Sequence, residues 1–278
     1  MDIKRAGGIL AAGFGFTGLA AAAYAHWVEP FTVKVHRHEI GVSGLGAELD
    51  GFTIAQLTDI HIKPWMLNGF LDKVARRVNS LAPDVIALTG DYVFLDSDFD
   101  LLPELEDFLL RLQPKVKKLS ILGNHDHWTN ASAIRELLAA ANFVDLSNAV
   151  EIFSSDGAGL AIAGLDDPWE KKDRVEQVLP RLPEGMPALL MVHEPDYAPK
   201  YARCERFFLQ ISGHSHGGQI SLPWFGPPVV PEHARRYRAG MYRVGGMLLY
   251  VSRGIGSVPF RMRFNCAPEI TLFTLRSA

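Results

Sequence analysis

Short apolar runs alternate with helix-period patterns between about residues 51 and 212. Each run is of strand length, and the runs predict buried strands at residues 52–57, 85–89, 119–122, 160–163, 188–192 and 207–211. Apolar residues at helical spacing lie between several of them and predict helices at residues 67–80, 101–112, 131–141 and 174–182. Alternation of strands and helices is typical of an α/β domain.

The pattern changes after Gly213. Short apolar runs separated by Gly and Pro predict strands at residues 219–222, 241–244, 247–252 and 270–275. Ahead of the first buried strand, Val33, Val35 and Ile40 are spaced for an edge strand. No repeat or low-complexity linker divides the sequence, so we expect one α/β domain at residues 29–278, built on two packed sheets.

Residues 6–28 form a separate segment that contains no Asp, Glu, Lys or Arg. The segment is long enough to span a bilayer, follows Lys4 and Arg5, and ends beside Trp27, so we expect residues 1–28 to anchor the chain in a membrane. A cleaved signal peptide is an alternative, because Ala23-Tyr24-Ala25 fits an A-x-A cleavage site. A buried or surface-lying helix is another, because glycines and alanines make the segment only mildly apolar.

Composition narrows the possible functions. The net charge of -3 over 278 residues gives no basic footprint, so we expect no nucleic-acid partner. Two cysteines, Cys204 and Cys266, are too few for a disulfide framework. Most of the 10 histidines, in contrast, fall in short clusters with Gly, Asp and Asn.

These clusters directly follow five of the predicted strands. Since the carboxyl ends of strands in an α/β sheet assemble sites at one edge, we expect the clusters to converge. The candidate ligands are carboxylates, imidazoles and one amide, a mixed set that suits Mn, Fe, Zn, Co or Ni: Asp59, His61, Asp91, Asn124, His193, His214 and His216. Seven ligands exceed the needs of one ion but can fill two if Asp91 is shared. Two neighbouring divalent ions can activate water and clamp phosphoryl oxygens.

Each candidate also has an ordinary structural interpretation. Asp59 and Asp91 could cap turns or helices, Asn124 could occupy a left-handed turn, and His193 alone could be a buried histidine. The His214/His216 pair could belong to a polar loop. Five such coincidences at five strand ends are improbable together, and a shared metal site is the better interpretation.

The blocks Asp59-x-His61, Gly90-Asp91, Gly123-Asn124-His125-Asp126, His193 and Gly213-His214-Ser215-His216, in this order, resemble the calcineurin-like metallophosphoesterase superfamily. The resemblance extends from about Gly51 to Leu275 and implies an α/β fold with a two-sheet β-sandwich core flanked by α-helices. It implies that one metal is held by Asp59, His61, Asp91 and His216, and the other by Asp91, Asn124, His193 and His214. It also implies that His125 faces the substrate and stabilises or protonates the leaving oxygen, whereas Asp126 either orients His125 or caps the following helix.

A finer resemblance rests on further C-terminal motifs: residues 214–220, Leu222-Pro223, Gly240-Met241-Tyr242, residues 251–256 and Pro268-Glu269-Ile270. Together with the N-terminal segment, these look like a membrane-associated bacterial branch that includes UDP-2,3-diacylglucosamine pyrophosphatase-type enzymes and phosphodiesterases. The resemblance implies hydrolysis of a phosphodiester or pyrophosphate bond at the bacterial inner membrane, on a lipid-linked nucleotide sugar of lipid A biosynthesis. A phosphomonoesterase and a non-catalytic scaffold that binds a partner are the alternatives.

Three questions stay open in the sequence. Lys4 and Arg5 favour an N-terminus inside, with the domain outside the cytoplasm, whereas a UDP-linked lipid would be met on the cytoplasmic face. Arg253, Arg261 and Arg263 could bind a substrate phosphate or have structural roles. The apolar residues 222–230 could dip into a bilayer, line a lipid groove or pack over the core.

Overall fold

Two six-stranded sheets form the centre of the protein in the computed structural model, which describes residues 18–155 and 158–278. The first sheet has the order β1-β12-β2-β3-β4-β5 and the second the order β10-β11-β9-β8-β7-β6. The strands are β1 (Lys34–Val42), β2 (Thr53–Leu57), β3 (Val85–Thr89), β4 (Lys117–Ile121), β5 (Val144–Asp145), β6 (Ala149–Ser155), β7 (Ala158–Gly164), β8 (Ala188–Met191), β9 (Phe207–Ser212), β10 (Gly240–Val244), β11 (Met247–Val251) and β12 (Glu269–Ser277).

Both sheets are mixed, and their parallel parts carry the polar clusters. In the first sheet β2, β3, β4 and β5 are parallel, while β12 is antiparallel to β2 and parallel to the edge strand β1. In the second sheet β7, β8, β9 and β11 are parallel, with β6 and β10 antiparallel at the edges. The strands ahead of the clusters therefore end on one side within each sheet.

Strands β2, β3 and β4 of the first sheet are buried on both faces. Along β3, Val85 and Ala87 face the second sheet, whereas Ile86 and Leu88 face the helices. This alternation follows from the two-residue period of a strand and explains the nearly continuous apolar runs. Between the sheets the core is completed by Leu189, Met191, Leu209 and other residues of the second sheet.

Helices cover the outer faces of both sheets. They are α1 (18–27), α2 (Phe70–Asn79), α3 (Leu102–Leu110), α4 (Asn124–Trp128), α5 (Ala131–Ala140), α6 (Val175–Val178) and α7 (Ala198–Ala202). Helices α2, α3 and α5 share one apolar cluster with the outer face of the first sheet, and α6 and α7 share another with the second. Helix α5 begins where the side chain of Asn130 accepts a hydrogen bond from the backbone N–H of Ala133. The layers agree with the predicted two-sheet core flanked by helices.

Two predicted elements are wrong. Residues 219–222 form no strand, but only isolated bridges and a turn, because Gly217, Gly218 and Gln219 all have positive φ and bend the chain. The predicted helix at 174–182 is reduced to α6 and a following 3-10 turn at Leu179–Arg181. Pro180 lies at the break, and its missing N–H and fixed φ do not allow a regular helix to continue through it.

The predicted N-terminal anchor lies only partly within the described residues. Residues 6–17 are outside them, and residues 18–27 form α1, which packs against the domain. The backbone N–H of Arg263 donates to the carbonyl of Ala25 at 2.9 Å, and the ring of Tyr24 lies edge-on to Phe264. Of the helices in the described part of the chain, none combines the length and the apolar character that crossing a membrane requires.

Candidate metal centre

Two triads of buried side chains lie where the ends of the two sheets meet. Asp59, His61 and His216 each offer a ligand atom within 4.8 Å of the others, and the same holds for Asp91, His193 and His214. The loops after β2, β3, β8 and β9 contribute these side chains. Six of the seven predicted ligands are therefore brought together.

Asp91 lies between the two triads. Its Oδ2 atom is 3.3 Å from Nε2 of His61, in the first triad, and 3.1 Å from Nε2 of His193, in its own triad. A single carboxylate is thus within reach of both groups, the arrangement that two neighbouring cations need if they share one ligand.

Asn124, the seventh predicted ligand, is completely buried, and neither polar atom of its amide has a hydrogen-bond partner. It is the first residue of α4, not a left-handed turn residue. The next backbone N–H, of His125, donates to Oδ1 of Asp91 at 3.0 Å, so the start of α4 lies against the shared carboxylate. An unpaired buried amide is costly unless a ligand occupies its oxygen.

Backbone carbonyls fix the orientation of three of the histidines. Nδ1 of His61 lies 2.8 Å from the carbonyl of Val93, and Nδ1 of His193 lies 2.7 Å from the carbonyl of Thr89. Because a carbonyl only accepts, each ring carries its proton there and presents a lone pair from Nε2. Those two Nε2 atoms are buried without a hydrogen-bond partner. His214 is held in the opposite sense, with Nε2 2.7 Å from the carbonyl of Glu232. The site fits divalent cations.

The protonation of the site also fits cations. Burial lowers the pKa of His214 to about 3 and holds the pKa of His216 well below its usual value, so both rings are neutral, as ligands must be. Burial raises the pKa of Asp91, but its interactions with His193, His125 and His61 outweigh it, and the pKa falls well below its usual range. The same carboxylate outweighs burial at His61 and His193 and raises the pKa of both rings, whose Nε2 protons a bound cation would replace. A buried, ionised carboxylate attracts positive charge to the centre of the site.

Five of the seven predicted ligands have left-handed backbone conformations. The φ angles are positive at Asp59 (51°), His61 (41°), Asp91 (61°), His214 (67°) and His216 (48°). Such a conformation costs a non-glycine residue about 1–3 kcal/mol, and it persists only where the surrounding structure enforces it. Clustering of this strain on the ligands indicates that their directions are set by function.

Two glycines allow the loops to approach each other this closely. A Cβ atom on Gly213 would lie 2.1 Å from Oγ1 of Thr58 and 2.4 Å from Oδ2 of Asp59. A Cβ atom on Gly123 would lie 2.4 Å from Oδ1 of Asp91. The glycines of these sequence blocks are therefore needed because a side chain there would displace a ligand.

His125 lies at the edge of the site and belongs to neither triad. Its Nδ1 is 3.0 Å from the carbonyl of Phe94, and its ring centre is 5.1 Å from that of His61. The ring lines a cavity of about 410 Å³ that also reaches Asp91, His214 and His216. A substrate in this cavity would contact His125.

Asp126 does not orient His125. Its carboxylate accepts hydrogen bonds of 2.9 Å from the backbone N–H groups of Gly123, Asp91 and Tyr92, and the described residues provide no hydrogen bond from it to the His125 ring. These hydrogen bonds do not support the orienting role predicted for Asp126, and they place its carboxylate at the first turn of its own helix, α4, and not at the helix that follows. The same bonds join the loop after β3 to the start of α4.

The three predicted substrate-binding arginines are engaged elsewhere. Arg263 is fully buried and donates to the carbonyls of Arg253, Gly254, Gly256 and Cys266, so its prediction as a phosphate ligand is wrong. Arg253 pairs with Glu269 at 2.6 Å. Arg261 lies 2.7 Å from Nε2 of His26 and over the ring of Phe31. None of the three lines the cavity beside the triads.

One wall near the site is aromatic and was not predicted. The ring centres of Phe94 and Trp128 lie 4.6 and 4.8 Å from that of His125, and Trp169 lies 4.9 Å from Trp128 and 5.6 Å from His214. These residues lie in loops and a short helix, where no strand or helix periodicity marks them. Only the proximity of Phe94 and Trp128 to the predicted blocks could have indicated them.

The remaining cavity wall is mostly apolar. Ser215 and Gln219 add polar groups, and the apolar part is formed by Ile220, Pro228, Val229, Val258, Pro259 and Phe260. The apolar residues 222–230 thus contribute to a groove, while Trp224 and Phe225 at their tip are exposed, so the alternative that this loop packs over the core is wrong for the tip.

Known proteins are similar to this chain over the region that contains the predicted ligands. Residues 52–218, which include all seven predicted ligands, match a family described as calcineurin-like phosphoesterase. The uncharacterized metallophosphoesterase YkuE of Bacillus subtilis is 36% identical over 277 residues, covering 99% of this chain and 96% of YkuE. The phosphodiesterase YaeI of Escherichia coli is 30% identical over 256 residues (91% and 92%). The UDP-2,3-diacylglucosamine pyrophosphatase LpxG of Chlamydia trachomatis is 28% identical over 306 residues (90% and 91%).

Proposed function

This chain belongs to the calcineurin-like phosphoesterase family and is a phosphoester hydrolase, and on that basis we propose that it cleaves a phosphodiester or pyrophosphate bond in a lipid-linked substrate. The observation that carries the proposal is the position of Asp91, whose Oδ2 lies within 3.3 Å of ligand atoms from both triads. A shared carboxylate supports a pair of cations over two separate sites.

We assign the two cation positions to the residues around Asp91. Asp59, His61 and His216 would complete one position, and His193, His214 and Asn124 the other. Cations bound there neutralise phosphoryl charge and activate water. The protein contributes the geometry, because strained backbone and fixed imidazoles point the ligands inward before anything binds.

His125 is the residue that would act on the leaving oxygen. It lines the cavity next to Asp91, and its Nδ1 is tied to the carbonyl of Phe94, which leaves Nε2 for the substrate. An alkoxide or phosphate leaving group departs more easily when a positioned imidazolium donates its Nε2 proton, an effect worth about 10²–10⁴-fold. Burial lowers the pKa of His125, so the negative charge of the bound phosphate would be needed to keep this ring protonated.

The walls of the cavity support the proposed substrate class. The apolar groove formed by Ile220, Val229, Val258 and Phe260 opens directly beside the triads, where a purely polar phosphoester would leave it unfilled. A substrate with an acyl chain next to its phosphate would fill it. The names of YaeI and LpxG, a phosphodiesterase and a lipid pyrophosphatase, agree with this assignment.

The test is a metal-supplemented assay of the purified full chain. Its substrates are UDP-2,3-diacylglucosamine, the soluble diester bis(p-nitrophenyl) phosphate and the monoester p-nitrophenyl phosphate, each with Mn, Fe, Zn, Co or Ni. We expect turnover of the diester and of the lipid-linked pyrophosphate to exceed that of the monoester. A preference for the monoester would contradict the proposal.

Two variants test whether the triads carry the activity measured in that assay. Asp91→Asn removes the shared carboxylate and is expected to abolish turnover and to lower the metal content. Asp100→Asn makes the same chemical change at an exposed position away from the triads and is expected to retain both. Equal activity of the two variants would show that the triads do not carry the reaction.

A further inference from the structure

The most exposed large apolar side chains of the described residues lie in three chain segments. Trp224 (98% exposed), Phe225 (86%) and Val229 (74%) belong to the loop at 222–229, Phe260 (72%) to residues 258–264, and Leu19 (73%) to α1. Trp27 and Val28, at the end of α1, are also exposed. Exposed apolar groups concentrated in this way mark a binding surface rather than the scattered apolar residues of an ordinary exterior.

The three segments are joined into one surface, here called the apolar rim. The backbone N–H of Ser221 donates to the carbonyl of Phe264 at 2.8 Å, which ties the loop to residues 258–264. The backbone N–H of Arg263 donates to the carbonyl of Ala25 at 2.9 Å, which ties residues 258–264 to α1. Tyr24 of α1 and Pro223 of the loop line the same surface cavity.

The tip of the loop is held in a fixed shape. Leu222 and Gly226 exchange two backbone hydrogen bonds, of 3.0 and 2.8 Å, and the turn between them carries Trp224 and Phe225. A tight turn that displays two aromatic rings loses little entropy when the rings are buried elsewhere. Such a turn is suited to insertion into another apolar phase.

Arginines lie beside the apolar rim on two sides. Arg238 lies next to the turn, with its guanidinium 3.8 Å from where a Cβ atom of Gly226 would be, and Arg235 and Arg236 nearby in the chain are exposed. Arg261 lies on the opposite side, against His26 of α1. Aromatic rings bordered by arginines are the composition of surfaces that rest on anionic lipid headgroups.

We propose that the apolar rim is a membrane-docking surface that seats the mouth of the apolar groove on the bilayer, so that the acyl part of the substrate enters the groove directly from the lipid. This inference rests on the proposed function for the identity of the substrate, but not for the docking itself. The uncharged residues 6–17 precede α1 in the sequence, and their composition favours a bilayer over a protein partner.

The groove connects the apolar rim to the candidate metal centre. Phe260 and Val229 are exposed members of the rim and also line the cavity, whose other end reaches Asp91, His214 and His216. An acyl chain could therefore remain in contact with apolar side chains from the bilayer to the site. Moving a chain through water instead costs about 0.8 kcal/mol per CH₂ group.

Docking is tested by tryptophan quenching in vesicles. The full chain is reconstituted into phosphatidylcholine–phosphatidylglycerol vesicles, with and without brominated acyl chains on the phosphatidylcholine. We expect the Trp224→Phe variant to show a smaller fractional quenching than the parent, because the ring deepest in the bilayer is lost. Trp128→Phe removes a tryptophan outside the rim and should leave the fractional quenching equal or higher. A Trp224→Phe protein quenched as strongly as the parent would overturn the docking.

Substrate delivery is tested by a double variant. Trp224→Ser/Phe225→Ser is expected to lose roughly tenfold or more of the turnover of UDP-2,3-diacylglucosamine in vesicles, while keeping the turnover of soluble bis(p-nitrophenyl) phosphate. The matched control, Val116→Ser/Ile152→Ser, changes two exposed apolar residues away from the rim and should keep both rates. Equal rates of the two double variants on vesicles would overturn delivery. Absence of turnover in every protein, with quenching intact, would instead reject the proposed function.

Discussion

The carboxylate of Asp126 accepts a hydrogen bond from the backbone N–H of Asp91, 2.9 Å away. Asp91 is the carboxylate between the two triads, and its backbone is in a strained left-handed conformation. A residue without contact to the candidate cations thus fixes the position of their shared ligand. The finding predicts that Asp126 matters for geometry, and not for proton transfer.

Asp126→Ala should therefore destabilise the fold and weaken metal binding together. Three buried N–H groups, those of Gly123, Asp91 and Tyr92, lose their acceptor. Each unsatisfied buried group costs about 1–3 kcal/mol, so we expect a fall of about 3 kcal/mol or more in the free energy of unfolding. Urea denaturation measures it, with Asp100→Ala as an exposed control. A variant with normal stability and normal metal content would refute the clamping role.

His125→Ala should lower kcat while the metal content stays at the parent level. His125 lines the cavity but belongs to neither triad, and loss of a general acid costs about 10²–10⁴-fold. The loss should shrink for a substrate with an activated p-nitrophenolate leaving group, which needs little protonation. Kinetics on activated and alkyl diesters, together with metal analysis, check both points. An equal loss on both diesters would argue against proton donation.

Removal of metal should abolish activity and lower the thermal stability. The buried unpaired atoms of His61, His193 and Asn124 lose the ions that satisfy them. Restoring a cation to about 100 times its dissociation constant should return about 2.7 kcal/mol of stability. Calorimetry after chelation and readdition measures the change. In Asp91→Asn the same addition of cation should restore much less stability. If Asp91→Asn regained as much stability as the parent, the metal would bind elsewhere.

A pH-dependent contribution to stability is expected at Asp84, far from the metal centre. Burial raises the pKa of Asp84, but hydrogen bonds from Thr53 and Lys115 outweigh it, and the pKa is lowered. A lowered pKa in the folded state means that the ionised carboxylate stabilises the fold above its unfolded pKa, and that this benefit is lost as the pH falls.

Asp84→Asn should accordingly reduce the free energy of unfolding by about 1 kcal/mol at neutral pH. The difference from the parent should begin to narrow near pH 4, where the unfolded carboxylate becomes protonated, and should disappear below the lowered pKa of the folded state. Denaturant titrations of the two proteins across this range test the expectation. A difference that does not depend on pH would assign the effect to packing and not to charge.

The candidate ligands could be identified from the sequence because each lies in a short block directly after a buried strand. The strand identifies the edge of the sheet, and the residue type identifies the chemistry. Asp59, Asp91 and His193 could therefore be selected as candidates without a structure. The left-handed backbone conformations of Asp59 and Asp91 could not be predicted, because tertiary contacts and not local preference impose them.

Arginines and aromatic residues were harder to interpret for a related reason. Nothing near Arg263 in the sequence reveals that four backbone carbonyls surround it, since they are brought together by loops. The aromatic wall joins Trp128 and Trp169, which lie 41 positions apart in the chain. The strand predicted at 219–222 was wrong because the positive φ angles of the preceding residues impose a turn where the local sequence favours a strand. Hydrophobic periodicity predicts helices and strands, but it does not indicate which loops contact each other.

Arg263 has a practical consequence for handling this protein. Three parts of the chain converge on it. Its backbone N–H donates to Ala25 of the N-terminal helix. Its guanidinium donates to the carbonyls of Gly254 and Gly256, beside Asp59, and of Cys266. A version trimmed at residue 28 would remove one side of this joint and loosen the support beneath the loop that carries Asp59. A cut ahead of residue 18 would leave the joint whole, and is where a shortened protein for crystallisation should begin.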